Sequence, residues 1–202
     1  MDNIIIKPGM LEGIITAPQN IYAYASFLMA GAIGNNILCK PADIAENDKI
    51  AGIINIIEMA GGEVIKTRNG VSARMTSVME GIEINLKDME DMLPIVAVLC
   101  AFLKGESRIY GINGVKNKER LKELALEFNH LGIYSEVTSD GLFITGSQVI
   151  KSDGAYVWSS ASFALALMIA ASRAEGEVCI FGIKNIQEIE EYIEYYKQVK
   201  EK

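Results

Sequence analysis

A spacing of 71 residues recurs along this chain and limits what it can fold into more than any other feature. Gly34, Gly105 and Gly176 are 71 positions apart, as are Gly61 and Gly132, and Gly70 and Gly141. The surroundings recur with them. Gly34-Asn-Asn-Ile-Leu-Cys-Lys-Pro, Gly105-Glu-Ser-Arg-Ile-Tyr-Gly-Ile and Gly176-Glu-Val-Cys-Ile-Phe-Gly-Ile each end an apolar stretch and open an extended one. Self-similarity at a fixed period marks one supersecondary unit used repeatedly. Gly61 and Gly132 close amphipathic runs, where a C′ residue in left-handed geometry is expected. Gly70 and Gly141 follow Asn69 and Asp140; Asn-Gly and Asp-Gly suit tight two-residue hairpins, since both positions tolerate positive φ. The unit reads strand, helix, strand, helix, hairpin. Copies are expected over residues 4–77, 78–147 and 148–202, the third stopping after its second helix. The expectation is a single α/β domain over residues 1–202, a three-fold repeat of a β-α-β-α-β-β unit.

The helices of each unit fall into two kinds. Ile21–Ile33, Pro94–Leu103 and Phe163–Ala171 are apolar nearly all round, which places them inside a core. Asp48–Ala60, Asn117–Leu131 and Gln187–Lys200 carry charge on one side and an apolar stripe on the other. Three buried helices and three half-exposed ones predict buried helices with sheets outside, the reverse of most α/β domains.

Composition removes several classes of function. Half of the 202 residues are apolar, enough for a large core. A formal net charge of −7 argues against a polyanion-coating protein, so no nucleic acid is expected as a partner. No apolar run reaches the roughly 18 residues a membrane helix needs, so no membrane partner is expected. Met1-Asp2-Asn3 lacks the basic start of a secretory signal. Cys39, Cys100 and Cys179 form an odd set inside apolar stretches, and read as buried reduced thiols in a cytoplasmic protein. His130 is the only histidine, so no metal site is expected. No cofactor is expected either, because neither G-x-x-x-x-G-K-S nor G-x-G-x-x-G occurs. Ser159, Ser160 and Ser162 beside Trp158 have no histidine in sequence reach, and read as helix caps. Tyr192, Tyr195 and Tyr196 follow helical spacing, as packing or partner-facing residues do.

Several segments carry a family resemblance. Lys7-Pro-Gly-Met-Leu-Glu-Gly-Ile-Ile-Thr-Ala-Pro18 resembles the opening strand of the enolpyruvyl transferases, P-x-x-L-x-G-x-I-x-x-P. Glu90-Asp-Met-Leu-Pro-Ile-Val-Ala-Val-Leu-Cys-Ala-Phe102 is similar to the EPSP synthase stretch P-D-L-V-P-x-L-A-V-L-A-A-F. Gly114-Val-Lys-Asn-Lys-Glu-Arg120-Leu resembles R-V-K-E-S-D-R-L, and Ala164-Leu-Ala-Leu-Met-Ile-Ala-Ala-Ser-Arg-Ala-Glu-Gly176 resembles A-M-A-L-A-V-A-A-L-x-A-x-G. The chain thus resembles one domain of the EPSP synthase family. The resemblance implies an inside-out α/β barrel and, for the whole family enzyme, enolpyruvyl transfer from phosphoenolpyruvate to shikimate 3-phosphate in aromatic amino acid biosynthesis. Asn20-Ile-Tyr-Ala-Tyr-Ala-Ser-Phe-Leu-Met-Ala-Gly-Ala32 is similar to the family's return helix and follows Pro18 directly, so the second domain is expected to be absent from this segment.

The resemblance also nominates site residues. Asp91 matches the family aspartate that contacts the phosphoshikimate hydroxyls and is a candidate base; an acid in a first helical turn is equally what the helix dipole favours. Lys116 and Arg120 match the pair that the family uses on phosphoenolpyruvate. Four residues apart, they share one helix face near an N-terminus, which favours anions. Their alternative role is pairing with Glu119 or Glu123. Asn117 stands where the family has a glutamate, and Gly114 where it has an arginine. The family triplet D-H-R falls on Ser160, Ala161 and Ser162, and a lysine falls on Gln187, with Lys184 one turn away as a substitute. Each lost cation removes about 2–5 kcal/mol from a charged ligand contact. Three expectations follow: a protein with a degenerate site, non-catalytic alone, that binds phosphoenolpyruvate or another small anion or acts as a regulator; one half of a split transferase with a complementary protein partner; or a structural, homo-oligomerising domain using the surface near Met10, Tyr22 and Tyr24.

Overall fold

Strand, helix, strand, helix, hairpin is the order found in the first two units of the computed structural model, which describes residues 3–17, 19–76, 79–146, 150–151, 154–157 and 160–199. After a leading strand β1 (Asn3–Ile6), the first unit comprises β2 (Glu12–Thr16), α1 (Ile21–Ala32), β3 (Asn36–Lys40), α2 (Asp48–Met59), β4 (Glu63–Thr67) and β5 (Gly70–Arg74). The second has β6 (Glu83–Asn85), α3 (Leu93–Phe102), β7 (Glu106–Tyr110), α4 (Val115–His130), β8 (Ser135–Val137) and β9 (Leu142–Thr145). The third has β10 (Gly154–Tyr156), α5 (Ala161–Ala171), β11 (Val178–Phe181) and α6 (Ile189–Gln198).

Each unit makes its own sheet. In β2-β3-β5-β4 and β6-β7-β9-β8 the first pair is parallel and the others antiparallel. In the third sheet, β10 pairs parallel with β11, and β11 pairs antiparallel with β1. The sequence boundary at residue 4 assigns β1 to the first unit, but β1 takes in the third sheet the place that β5 and β9 hold in theirs. Among the described residues the third unit has no hairpin of its own, and β1 supplies backbone partners that β11 would otherwise lack.

The sheets enclose α1, α3 and α5, which contact one another pairwise. Ten of the 12 residues of α1 are buried, so no polar stripe is needed. The outer helices bury one stripe each at i, i+3, i+4 and i+7: Ile50, Ile53, Ile54 and Ile57 on α2, Leu121, Leu124, Ala125 and Phe128 on α4, and Ile189, Tyr192, Ile193 and Tyr196 on α6. Each outer helix also ties its unit to the next. The Glu80 amide donates to the Ala60 carbonyl (3.2 Å), Lys151 to Leu131 (2.9 Å) and Glu12 to Val199 (3.2 Å). The third bond joins the last helix back to the first sheet.

The glycines separate into two roles. Gly61 and Gly132 have φ of +89° and +82° beyond the ends of α2 and α4, the expected left-handed helix stops. Gly70 and Gly141 do something other than expected. The first hairpin turns at Arg68-Asn69, with Thr67 opposite Gly70, and the second loop runs from 138 to 141. A Cβ on Gly70 would stand 2.5 Å from the Cys39 carbonyl oxygen, and one on Gly141 would stand 1.8 Å from that of Ile109. Close approach to the neighbouring strand requires glycine at both positions, and Gly70 in addition has φ of +149°, which other residues rarely adopt.

Two further expectations change. Tyr24 is fully buried, its hydroxyl donating to the Pro41 carbonyl at 3.1 Å, so it is core and not a surface left by a missing domain. Cys39 and Cys100 are buried free thiols, whereas Cys179 is half-buried because its side chain lies on the outward face of β11. Among the described residues no helix is long and apolar enough to cross a membrane.

Candidate functional site

The N-termini of the three buried helices open at one end of the fold around a cavity of about 450 Å³. Local capping sets each entrance. The Asn20 carboxamide accepts from the Ala23 amide at 2.9 Å to start α1, and the Ser160 hydroxyl accepts from the Phe163 amide at 3.2 Å to start α5. A 3₁₀ turn, Glu90–Met92, leads into α3, with Pro94 in its first turn, where a missing N–H is harmless. Helix N-termini each carry roughly +0.5 charge, so this end of the core favours anions.

Asp91 and Arg120 line this cavity together. The Tyr22 hydroxyl donates to Asp91 Oδ2 at 2.7 Å, and Lys49 Nζ forms an ion pair with the same oxygen. Burial pushes the Asp91 carboxyl up, but the hydrogen bonds from Lys49 and Tyr22 and the lysine charge outweigh it and hold the group below the usual aspartate range. Donation to Asp91, then burial and the carboxylate charge, push the Tyr22 phenol up to about 12, while the nearby Arg120 charge pulls it down. Across the cavity, Tyr192 donates to Asn20 Oδ1 at 3.2 Å, and Asn20 Nδ2 donates to Glu191 Oε1 at 3.2 Å.

The repeat explains this wiring. Asn20, Asp91 and Ser162 are 71 positions apart at the starts of the buried helices; Lys49, Arg120 and Glu191 are 71 apart within the first two turns of the outer ones. In structure the outer residue of one unit meets the inner residue of the next: Lys49 with Asp91, and Glu191 with Asn20. Arg120 and Ser162 share the cavity at the third such corner. Serine offers no charge there, and among the described residues Arg120 has no carboxylate within ion-pair distance. Arg120 thus lines the cavity with no carboxylate counter-ion among the described residues.

The remaining nominated residues divide. Ser160, Ala161, Ser162 and Gln187 line the cavity but contribute two hydroxyls, a methyl and an amide, and no charge. Glu188 adds a carboxylate, held at φ +64°, a left-handed conformation that a glutamate adopts only with strain. Lys184 lies elsewhere, in a separate cavity of about 600 Å³ with Glu190, Glu191, Glu194 and Lys197. Lys116 and Asn117 fall in the first turn of α4, but their side chains lie outside the described residues, as do Trp158 and Ser159. Sequence reasoning missed Lys49. Its position 71 residues before Arg120 was the available signal.

Comparison with known proteins shows which family and fold this chain shares. Residues 5–193 match the family model of EPSP synthase (3-phosphoshikimate 1-carboxyvinyltransferase). The chain is 32% identical over 167 residues to the 3-phosphoshikimate 1-carboxyvinyltransferase of Methanocaldococcus jannaschii, covering 80% of this chain and 38% of that relative. It is 31% identical over 181 residues to the enzyme of the same name from Clostridium acetobutylicum, covering 88% and 41%. It therefore spans about two-fifths of these relatives' length. Among solved structures, EPSP synthase from Acinetobacter baumannii superposes with a TM-score of 0.74 at 20% identity, covering 92% of this chain and 46% of that one. The enolpyruvyl transferase NikO from Streptomyces tendae gives 0.71 at 16% identity, covering 89% and 42%. These likenesses show the inside-out α/β fold, and the family match over most of its length shows that this chain belongs to the EPSP synthase family.

Proposed function

We propose that this chain forms an anion-binding half-site of the EPSP synthase type and does not carry out enolpyruvyl transfer by itself. The observation that carries the reading is Arg120, lining a cavity at three helix N-termini with no carboxylate partner among the described residues. A guanidinium so placed favours a carboxylate or phosphate, and phosphoenolpyruvate offers both. Transfer also needs a group that moves a proton near neutral pH. Asp91 is a poor one: Lys49 and Tyr22 hold it ionised and occupy Oδ2. Ser160, Ser162 and Gln187, where the family resemblance implies cations, leave the ligand with fewer charges. Two such losses, at about 2–5 kcal/mol each, bring affinity to the millimolar range or weaker. Weak binding of this kind suits a regulator or an accessory chain.

A second reading is favoured by the joint placement of Asp91 and Arg120 in a chain that spans about two-fifths of relatives named as transferases. In it, the chain is one half of a split 3-phosphoshikimate 1-carboxyvinyltransferase, and a complementary chain closes the cavity and adds cations. An assay of phosphate release from phosphoenolpyruvate plus shikimate 3-phosphate separates the two. The first reading expects no release by this chain, with or without an added complementary domain. Release only with that domain establishes the second reading, and release by the chain alone contradicts both.

A further inference from the structure

The third sheet differs from its two siblings in two ways. The first is its edge. In the other sheets the strands equivalent to β1, namely β5 and β9, are covered by β4 and β8. Among the described residues no strand covers β1. The second is its outward face. The register places Asn3, Phe181 and Tyr156 in one row, and Ile5, Cys179 and Gly154 in the next. None of these is charged, and Ile5, Phe181 and Tyr156 are 57%, 41% and 51% exposed. The corresponding faces carry Glu12, Lys40, Glu63 and Arg74 on the first sheet, and Glu83, Glu106, Arg108 and Glu136 on the second. Edge strands are normally protected by charge, proline or a bulge. Residues 3–6, Asn-Ile-Ile-Ile, have no charge and no proline, and pair with β11 in unbroken register.

We propose that β1 pairs antiparallel with β1 of a second copy of this chain about a two-fold axis, joining two three-stranded sheets into one of six strands. The repeat itself specifies the kind of occupant, since β4 and β8 are antiparallel strands on the same edge. Charge favours a second copy here over the corresponding faces of the other two sheets. The chain carries a net −7, so most self-contacts oppose carboxylates. Here a two-fold axis through the sheet keeps outward residues outward, and the proposed register, centred on Ile5, sets Ile5 against Ile5 and Asn3 against Lys7. Lys7 is already bridged to Glu177 at 3.7 Å within its own chain, and it meets an uncharged Asn3. The seam brings no like charges together and covers the most exposed apolar side chain of the strand. This inference is independent of the anion site.

The test uses the full 202-residue chain in sedimentation velocity from about 1 to about 200 µM, a range suited to small interfaces. Dimer is expected to grow with concentration. Ile5→Lys is expected to remain monomeric over the same range, with unchanged circular dichroism and melting, which separates a lost interface from a lost fold. Register is tested by Ile5→Cys in a Cys179→Ser background. Opposed strand positions lie about 4.5–5.5 Å apart at Cα, inside the roughly 4.4–6.8 Å a disulfide spans. Mild oxidation should therefore give a disulfide-linked dimer, whereas Ile14→Cys, equally exposed on the first sheet, should not. A chain that stays monomeric throughout overturns the proposal. So does a dimer that survives Ile5→Lys, cross-linking no faster at position 5 than at 14, or cross-linking at position 5 to a different protein only.

Discussion

The Lys49–Asp91 ion pair is predicted to be worth about 1 kcal/mol and to couple two units that otherwise meet mainly through apolar contact. The side chains are 36% and 30% exposed, so water screens the pair but does not dominate it. At an effective dielectric of about 20, charges about 4 Å apart attract by about 4 kcal/mol, and desolvation plus lysine rotamer entropy remove most of that. A double-mutant cycle isolates the remainder, using Lys49→Met, Asp91→Asn and the double variant in urea unfolding. Asp91→Asn keeps an acceptor for Tyr22, so the cycle reports charge and not the phenol contact. The coupling should be about 1 kcal/mol at low salt and fall by at least half in 1 M salt, where the Debye length is about 3 Å. Lys49→Met alone should melt about 2–4 °C lower. The pH dependence has a definite sign. The folded Asp91 carboxyl lies below its ordinary value, so the stabilisation is fully present above about pH 4. It is lost as pH falls through the lower folded value. A coupling below about 0.3 kcal/mol, within the scatter for non-interacting sites, or one indifferent to salt, would refute the argument.

Three other substitutions follow from the geometry. Tyr22→Phe removes a donor to a carboxylate, so Asp91 should titrate at higher pH in carbon-detected NMR yet stay below the ordinary range because Lys49 remains; the stability cost should be about 1.5–3 kcal/mol. Glu188→Asn places a residue that tolerates left-handed geometry at φ +64° and removes a carboxylate from the cavity. It should raise stability by about 0.5–1 kcal/mol in urea unfolding and tighten phosphoenolpyruvate binding in calorimetry. Gly141→Ala drives a Cβ to 1.8 Å from the Ile109 carbonyl, a backbone atom that cannot swing away, and should cost about 3 kcal/mol or more by denaturant melts.

How much of this was legible in the sequence depended on how local the cause was. The buried helices were legible because α1, α3 and α5 lack any polar stripe, and the outer ones because Ile50, Ile53, Ile54 and Ile57 recur at helical spacing. The helix stops at Gly61 and Gly132 were equally local. The role of Gly70 and Gly141 was not, because it depends on where β3 and β7 pass, which no nearby residue reveals. β1 was placed in the wrong unit for the same reason: its partner β11 lies some 175 residues away along the chain. At the site, Asp91 and Arg120 were found through family resemblance, and the structure brings them into one cavity. Lys49 and Tyr22, which hold Asp91, come from the preceding unit and emerge only when the units are packed. Tyr22 looked like a surface residue because it lies close to the point where a second domain would join; in the structure it donates to Asp91 alongside Lys49, and the two together hold the carboxyl ionised.

The central claim, an anion half-site centred on Arg120 without turnover, is tested most directly by adding phosphoenolpyruvate to isotopically labelled protein and following backbone amides. At up to about 10 mM, which matches a site of roughly −2.7 kcal/mol or better, saturable shifts are predicted at the amides around Tyr22, Arg120 and Ser162, with the ligand's phosphorus signal unchanged in chemical identity. Shifts spread evenly over the surface, or none, would contradict the claim.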